Sequence, residues 1–368
     1  MPQRPPYDPR EQEIAGTHPA GARGMFLNAG LTTPPDEPLY NRPISPRENL
    51  QLLFSGRTPW WIPQTGMSYS EVNNFRPRIF PDNVATRLVM DGEGLMEYTS
   101  TVQEGWFRLN WVFVPVAGGA TVMPGDPLIE DMNDWESLVH WPDLDALDWE
   151  AMGRANAAYL DTPQANELCL LDGFWERLIS LMDVSGAAVA LIDEDQKDAV
   201  HAFFDRYADF MIECIRRVKA VCPLDGVLIH DDWGTQNAPF FSLETAREML
   251  LPYLKRVVDY VHSQGMFYEQ HSCGNCTALV PAYLEAGVDL WSPQPMNDFD
   301  AILAQCRGTR LHIGMGCPVE EDVPEDQARQ AARDWFAKYG REQVTISRAP
   351  TAYFMNELYK LSREAFTQ

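Results

Sequence analysis

The eight residues from Glu269 to Cys276, EQHSCGNC, place one imidazole and two thiols within reach of a single ion. Zinc takes Cys sulfur and His nitrogen in tetrahedral geometry, and a catalytic zinc keeps three protein ligands and one open position. If the run before Ser272 is a strand, His271 and Cys273 point the same way, because strand side chains alternate with a period of two. They are the first two candidate ligands. Cys276, beyond Gly274, competes for the role of third ligand but falls at the start of the next helix. Cys273 and Cys276 also have C-x-x-C redox spacing, but that motif belongs beside an early strand–helix–strand unit of a different fold. A third ligand is sought at another strand end, where Cys317 stands in IGMGCPVEED.

Such a site needs elements that bring distant strand ends together. From RENLQLLFSG onward, short apolar runs alternate with amphipathic helical ones, the pattern of a parallel sheet with crossover helices. Eight runs read as strands: PWWIPQ (59–64), WVFVPV (111–116), LCLLDG (168–173), GVLIHDD (226–232), MFYEQHSCG (266–274), DLWSPQP (289–295), RLHIGMG (310–316) and QVTISRAP (343–350). Between the fourth and fifth, the helical run starts at Ser242, a good N-cap with acids in the first turn, and stops at Gly265, a good C′ residue. Eight strand–helix alternations predict an α/β protein of the (β/α)8 TIM barrel class with long loops after the first two strands. Residues 1–48, rich in Pro, Gly and charge, form an extended N-terminal arm, and 49–368 form the single barrel domain. The arm is of a kind that drapes over a partner subunit, so a homodimer is expected.

A barrel of this kind carries its active site where the strands end at the C-terminal face. The fourth strand ends in His230, Asp231 and Asp232, the candidate acids of the site. Gln236 follows in the loop after it, and the sixth strand ends in Gln294. With Trp61 and Tyr268, these are the candidate substrate contacts. Any one of them alone reads as a satisfied polar group at a strand end; their convergence is what points to a site. Aromatics in the insertions, Trp106, Trp135, Trp141 and Trp149 among them, suit either a lid over a planar substrate or plain packing onto the barrel.

Composition excludes several classes. Twenty-nine basic against 53 acidic residues give a formal charge of −24, which repels nucleic-acid phosphates and anionic lipid headgroups. No apolar run approaches the ~20 residues of a membrane helix, and the N-terminus lacks a signal-peptide core, so a soluble, cytoplasmic protein is expected. Seven scattered cysteines in 368 residues read as reduced thiols rather than a disulfide scaffold. No P-loop, dinucleotide fingerprint or nucleophile elbow is evident.

The stretch IHDDWGTQNAPFFSLETAREMLLPYLKRVVDYVHSQGMFYEQHSCGN, continued in LVPAYLEAGVDLWSPQP, resembles the uroporphyrinogen decarboxylase-like superfamily, in particular its corrinoid-dependent methyltransferase branch. SPRENLQLLFSGRTPWWIP near the barrel's start is a weaker likeness. The resemblance implies a (β/α)8 barrel, as the strand count does, and zinc on a His-x-Cys pair after the fifth strand, matched here by His271 and Cys273. It also implies a further cysteine near the last strand. That region reads ISRAPTAYF, with no cysteine after Cys317, so Cys317 is left to complete the set or another ligand must.

What the resemblance implies about activity divides by chemistry. Decarboxylase members bind a polycarboxylate through arginine and aspartate after the first strand. Here WWIPQTGMSYSEVNNF holds neither before Arg76, and a chain at −24 is a poor host for a polyanion. Methyltransferase members pass a methyl group between a small molecule and a corrinoid. One class removes it from a donor such as a methoxylated aromatic, and the leaving oxygen then needs a proton or a Lewis acid. The other gives it to a thiol such as coenzyme M, or to a folate, and for a thiol a sulfur-rich zinc is suited; a single sure cysteine favours O-demethylation. A corrinoid carrier's Asp-x-His-x-x-Gly motif has only DYVHSQG near it, out of register, so the corrinoid is expected on a partner protein. A non-catalytic corrinoid-interacting subunit is the remaining alternative, against which adjacent acids beside a His-x-Cys mouth weigh.

Overall fold

The computed structural model describes residues 4–18, 36–66, 70–75, 102–104, 107–114, 119–122, 125–170, 173–348 and 351–367. Strand β1 (Ile14–His18) pairs antiparallel with β2 (Glu37–Tyr40) in the arm. Helix α1 (Pro46–Phe54) begins in a capping box: Ser45 Oγ accepts the Glu48 N–H, the Glu48 carboxylate accepts the Ser45 N–H, and Pro46 occupies the first turn. It spans the arm–barrel boundary placed at residue 48. Next come β3 (Val72–Phe75), β4 (Val102–Glu104), β5 (Asn110–Val114), β6 (Gly119–Val122), α2 (Trp149–Leu160), β7 (Ala165–Leu170), α3 (Phe174–Ala190) and α4 (Lys197–Val221). The units β8 (Gly226–His230), α5 (Leu251–Ser263), β9 (Phe267–His271), α6 (Val280–Ala286), β10 (Leu290–Trp291) and α7 (Phe299–Cys306) follow, and then β11 (His312–Gly316), α8 (Glu325–Tyr339), β12 (Val344–Arg348) and α9 (Ala352–Phe366).

Seven of these strands form one parallel sheet in the order β12-β11-β10-β9-β8-β7-β3. Residues 63–65 join its two edges: Gln64 makes a parallel bridge to Ile346, Thr65 N–H donates to the Ile346 carbonyl at 2.8 Å, and Glu71 N–H donates to Gln64 at 2.7 Å. The ring is therefore a TIM-barrel-like fold with 63–65 as its first rung. Its second strand is not WVFVPV, as the apolar run suggests. Described residues 111–114 of that run belong to β5, the centre of a separate antiparallel sheet β4-β5-β6. The second barrel strand is β3, VNNF, whose asparagines hide it from a hydrophobicity reading. Asn73 Nδ2 donates to Asn166 Oδ1 and Asn74 Nδ2 to Glu167 Oε2 across the pair.

Strand parity sorts the side chains. On β7, Leu168 and Leu170 face the main core with the helices, while Cys169 contacts Leu228 in a small separate cluster. On β9, Tyr268 joins the helix-side core, and Phe267 packs with Leu50 and Leu53 of α1, Val72 and Ala165. Phe54 stacks on Phe267 with centroids 4.4 Å apart, so α1 plugs the floor. The helix after β8 starts at Ser242, whose Oγ accepts the Thr245 N–H, passes through a π-turn at Ala246–Leu250, and ends before Gly265 at φ +73°.

The arm lies on its own chain. Buried Glu11 accepts from the Arg363 guanidinium at 2.8 Å through both carboxylate oxygens and from Tyr359 Oη at 2.6 Å, and Arg4 donates to the Phe366 carbonyl at 2.8 Å. All seven cysteines are free thiols. Among the described residues no helix is long and apolar enough to cross a membrane.

Candidate functional site

Two adjacent strand ends build the site. His230 closes β8 and His271 closes β9, opposite each other in register, with their rings stacked 4.5 Å apart at 20°. Parity then sends Asp232 toward the same mouth and turns Asp231 away from it. Asp231 is 2% exposed. Its Oδ1 accepts the Glu176 N–H at 2.9 Å, and its Oδ2 accepts the Trp175 N–H at 3.3 Å and Trp233 Nε1 at 2.7 Å. It caps the start of α3 instead of facing the mouth, and burial raises its pKa to about 6. Only glycine fits at 173, because a Cβ there would lie 2.3 Å from Asp231 Cβ.

The loop after β9 is braced from both sides. Gly274, at φ +81°, lets the loop approach its neighbour so closely that a Cβ would lie 2.3 Å from the Gly234 carbonyl carbon. Gly274 N–H donates to Gln294 Oε1 at 2.8 Å, and Asn297 accepts from Cys276 N–H while donating to the Gly274 carbonyl, both at 2.8 Å. Cys273 N–H donates to Asp232 Oδ1 at 2.6 Å. The thiol of Cys273 is thus placed by backbone on one side and by a carboxylate on the other.

His230, Asp232, His271 and Cys273 offer ligand atoms that all lie within 4.8 Å of one another, and no other such group of three or more occurs among the described residues. His271 Nε2 is 3.4 Å from Cys273 Sγ and 3.8 Å from Asp232 Oδ1, and His230 Nε2 is 3.7 Å from the same oxygen. Donors at about 2.0–2.3 Å from a tetrahedral zinc stand about 3.3–3.7 Å from one another, so these three separations suit such an ion, and the spread of up to 4.8 Å across the set would close by about an ångström on binding. The side chains of His230, Asp232 and His271 remain about a quarter exposed (26%, 28% and 28%), which leaves the mouth open to a ligand.

Electrostatics oppose burial here. Burial would lower the His230 pKa, but the Glu176 carboxylate, 2.8 Å from Nδ1, carries it well above the ordinary value. Burial would raise Asp232, but the imidazoles of His230 and His271 hold it low. The Cys273 thiol is raised, chiefly by burial and also by the Asp232 charge. A metal would displace that proton.

Of the residues singled out from sequence, His230, Asp232, His271 and Cys273 come together. Cys317 does not join them. Its N–H is tied to the Arg348 carbonyl at 2.8 Å, its side chain packs against the core, and burial pushes its thiol up to about 12. Trp61 is buried with Tyr359, donates to Glu71 Oε1 at 2.6 Å and lies under the Arg42 guanidinium, so it lines no pocket at the mouth. Tyr268 is on the helix-facing side of β9, its Oη donating to Gln270 Oε1 at 2.9 Å. Gln294 braces the ligand loop, and Gln236 is exposed on the turn bridged by Gly234 and Pro239. Trp135 and Trp141 pack on Phe203 of α4; Trp106 lies outside the described residues.

Three acids escaped sequence reasoning. Glu176 reads as a helix-dipole acid in the first turn of α3. Glu167 and Glu269 sit inside the barrel, one strand step below the site, 1% and 4% exposed. Burial raises both, Glu167 to about 7, and their nearness raises Glu269 further. Glu269 shares parity with His271, which was a usable signal.

Residues 180–314 match the family model for uroporphyrinogen decarboxylase, a span that holds all four clustered residues. Over that span, a little more than a third of the chain, the sequence is similar to that family. Among solved structures, a methyltransferase from Methanosarcina mazei superposes with a TM-score of 0.55 at 14% identity, over 88% of this chain and 100% of that one, and so has the same fold. Two others superpose poorly: an AP endonuclease of family 2 from Brucella melitensis, with a TM-score of 0.31, 10% identity and 59% and 83% of the chains covered, and a variant of NCR from Zymomonas mobilis, with 0.31, 16%, 54% and 60%. No curated protein matches the chain in sequence.

Proposed function

We propose that this chain is a corrinoid-dependent methyltransferase of the uroporphyrinogen decarboxylase-like superfamily, which demethylates a small methoxylated, aromatic substrate with the help of zinc and passes the methyl group to a corrinoid carried by a partner protein. The observation that carries the reading is the composition of the mouth cluster, which contains a single sulfur. Cys273 and Asp232, both ionised, supply two negative charges to balance a divalent cation, while His230 and His271 add neutral nitrogen. A sulfur-poor set leaves the ion electrophilic, which suits an ether oxygen better than a thiolate. Held by three of the four donors, zinc would keep one position for the ether oxygen, polarise it and favour the charge that builds on it.

The chain's own residues do the rest. The Gly234–Gly274 contact and the Gln294 and Asn297 bonds fix the thiol, so little reorganisation accompanies binding. The methyl carbon leaves with its bond to oxygen broken; the electron pair stays on oxygen, which takes one proton from solvent at the open mouth, and the carbon's new bond forms to the reduced cobalt of the partner. Asp231, committed to capping α3, is not the donor of that proton. The likeness to a methyltransferase barrel and the absence of Arg or Asp between Trp60 and Phe75 support this reading over decarboxylation.

The test is zinc content of the purified protein and of His271→Ala and Cys273→Ser, followed by demethylation of a methoxyarene panel with reduced corrinoid protein. About one zinc per native chain, lost in both variants together with turnover, is the expected result. Full turnover without metal would remove zinc from the mechanism. Methylation of a thiol without ether cleavage would reverse donor and acceptor, and carbon dioxide from uroporphyrinogen would return the chain to the decarboxylases.

A further inference from the structure

We propose that Glu176 is a positioning residue that holds the His230 ring so that Nε2 faces the metal, and that Asp231 is the strut that keeps Glu176 there. The inference rests on the zinc reading above and names a device that makes the site. Metal-bound imidazoles keep their orientation and tautomer through a hydrogen bond on the other ring nitrogen, commonly to a carboxylate. Glu176 Oε2 lies 2.8 Å from His230 Nδ1, on the side of the ring away from Asp232. A carboxylate accepts only, so Nδ1 carries hydrogen and the Nε2 lone pair is left toward Asp232, His271 and Cys273.

The placement is built into the chain rather than made by a flexible side chain. His230, Asp231 and Asp232 are consecutive, and alternation gives the middle one to the opposite side. Asp231 there receives the N–H groups of Trp175 and Glu176, while Gly173 N–H donates to the His230 carbonyl at 2.7 Å. The start of α3 is therefore pinned to two of these three residues, His230 and Asp231, and its Glu176 side chain, 16% exposed, comes to rest on His230. The stacked His271 ring, at 4.5 Å, blocks His230 from turning toward β9.

The experiment measures zinc affinity by chelator competition for the native protein, Glu176→Ala, Glu176→Gln, His230→Ala and the double variant Glu176→Ala/His230→Ala. Loss of the carboxylate is expected to weaken zinc 10–100-fold, the range known for such outer partners. Gln, whose amide oxygen still accepts from Nδ1, restores most of it. In the His230→Ala background, removing Glu176 then changes affinity less than twofold. Equal losses with and without His230, or none, would overturn the proposal. A second readout needs no metal: in the neutral ring, recorded at alkaline pH, nitrogen-15 spectra show His230 with hydrogen on Nδ1 in native protein and on Nε2 in Glu176→Ala. An unchanged tautomer defeats the role of Glu176, whereas native protein that takes up no zinc defeats the metal reading and leaves the tautomer result standing.

Discussion

At the mouth, Asp232 lies between two imidazoles; one strand step below, Glu269 lies against Glu167. Both groups are largely withdrawn from water, yet they hold charge in opposite ways. The imidazoles keep Asp232 ionised against the pull of burial, and Glu176 keeps the His230 pKa high. Inside the barrel no cation stands among the causes acting on the two glutamates, so burial keeps a proton on each, and the Glu167 charge adds to it at Glu269. Glu167 Oε1 and Glu269 Oε2 have no partner unless a proton lies between the two carboxyls. The difference teaches where a divalent ion would go. Mixed nitrogen, oxygen and sulfur donors, a quarter open to solvent, are poised to exchange protons for metal, whereas the glutamates offer two oxygens in a closed interior.

The largest effect should come from breaking the inner pair. Glu167 is raised from 4.5 to about 7 in the folded chain, so between those values the native state binds more protons than the unfolded one. Stability from this group therefore falls as pH rises from about 4.5 to 7, and the cost is fully present above 7. Glu167→Gln keeps a polar side chain beside Asn74 and removes the charge. It should stabilise the protein by about 3 kcal/mol at pH 8 and by almost nothing at pH 4.5. Denaturation midpoints of both forms at the two pH values measure this, and a gain of equal size at both would show that burial of the Glu167 charge is not the cause.

A smaller effect is expected from Asp231→Ala. Three donors lose one acceptor, two of them at a helix start, and a loss of about 2 kcal/mol follows. Because the strut also seats Glu176, zinc affinity should fall as well. Denaturation and chelator competition on one preparation separate the two losses. Full stability with weakened zinc would mean that Asp231 acts at the mouth directly, which would erase the division of labour along His230, Asp231 and Asp232.

What was legible in the sequence follows the same physics. Period-two alternation in a strand was enough to send His271 and Cys273 to one face, and the apolar runs of β7 to β9, β11 and β12 were long enough to announce the barrel. Alternation applied to Tyr268 would also have turned it toward the helices. The second strand was missed because VNNF binds its neighbours through asparagine amides. Asp231 looked catalytic because two adjacent acids cannot be told apart by type; only the place of α3 assigns one to the helix and one to the site. Trp61 was claimed for the mouth, but its indole N–H serves Glu71 in a cluster reached only when the arm and α9 fold over it.

Cys317 gives the smallest and sharpest contrast. From sequence it was the natural third ligand, a thiol two strands away at the end of β11. A strand end does not by itself aim a side chain at the mouth, and the Cys317 N–H, bonded to Arg348, continues the β11–β12 edge while the thiol turns to the core. Asp232, just past the end of β8, the strand next to β9, reaches the cluster instead and is fastened to the Cys273 backbone. Cys317→Ser should therefore leave zinc stoichiometry unchanged and affinity within about twofold, against the 10–100-fold expected of a group that touches a ligand. Alkylation should agree: a half-buried thiol raised to about 12 reacts slowly with iodoacetamide whether or not zinc is present, while Cys273 is protected only when zinc is bound. Zinc protection at Cys317 in mass-spectrometric mapping would instead put a second sulfur on the ion, and with it the thiol as methyl acceptor.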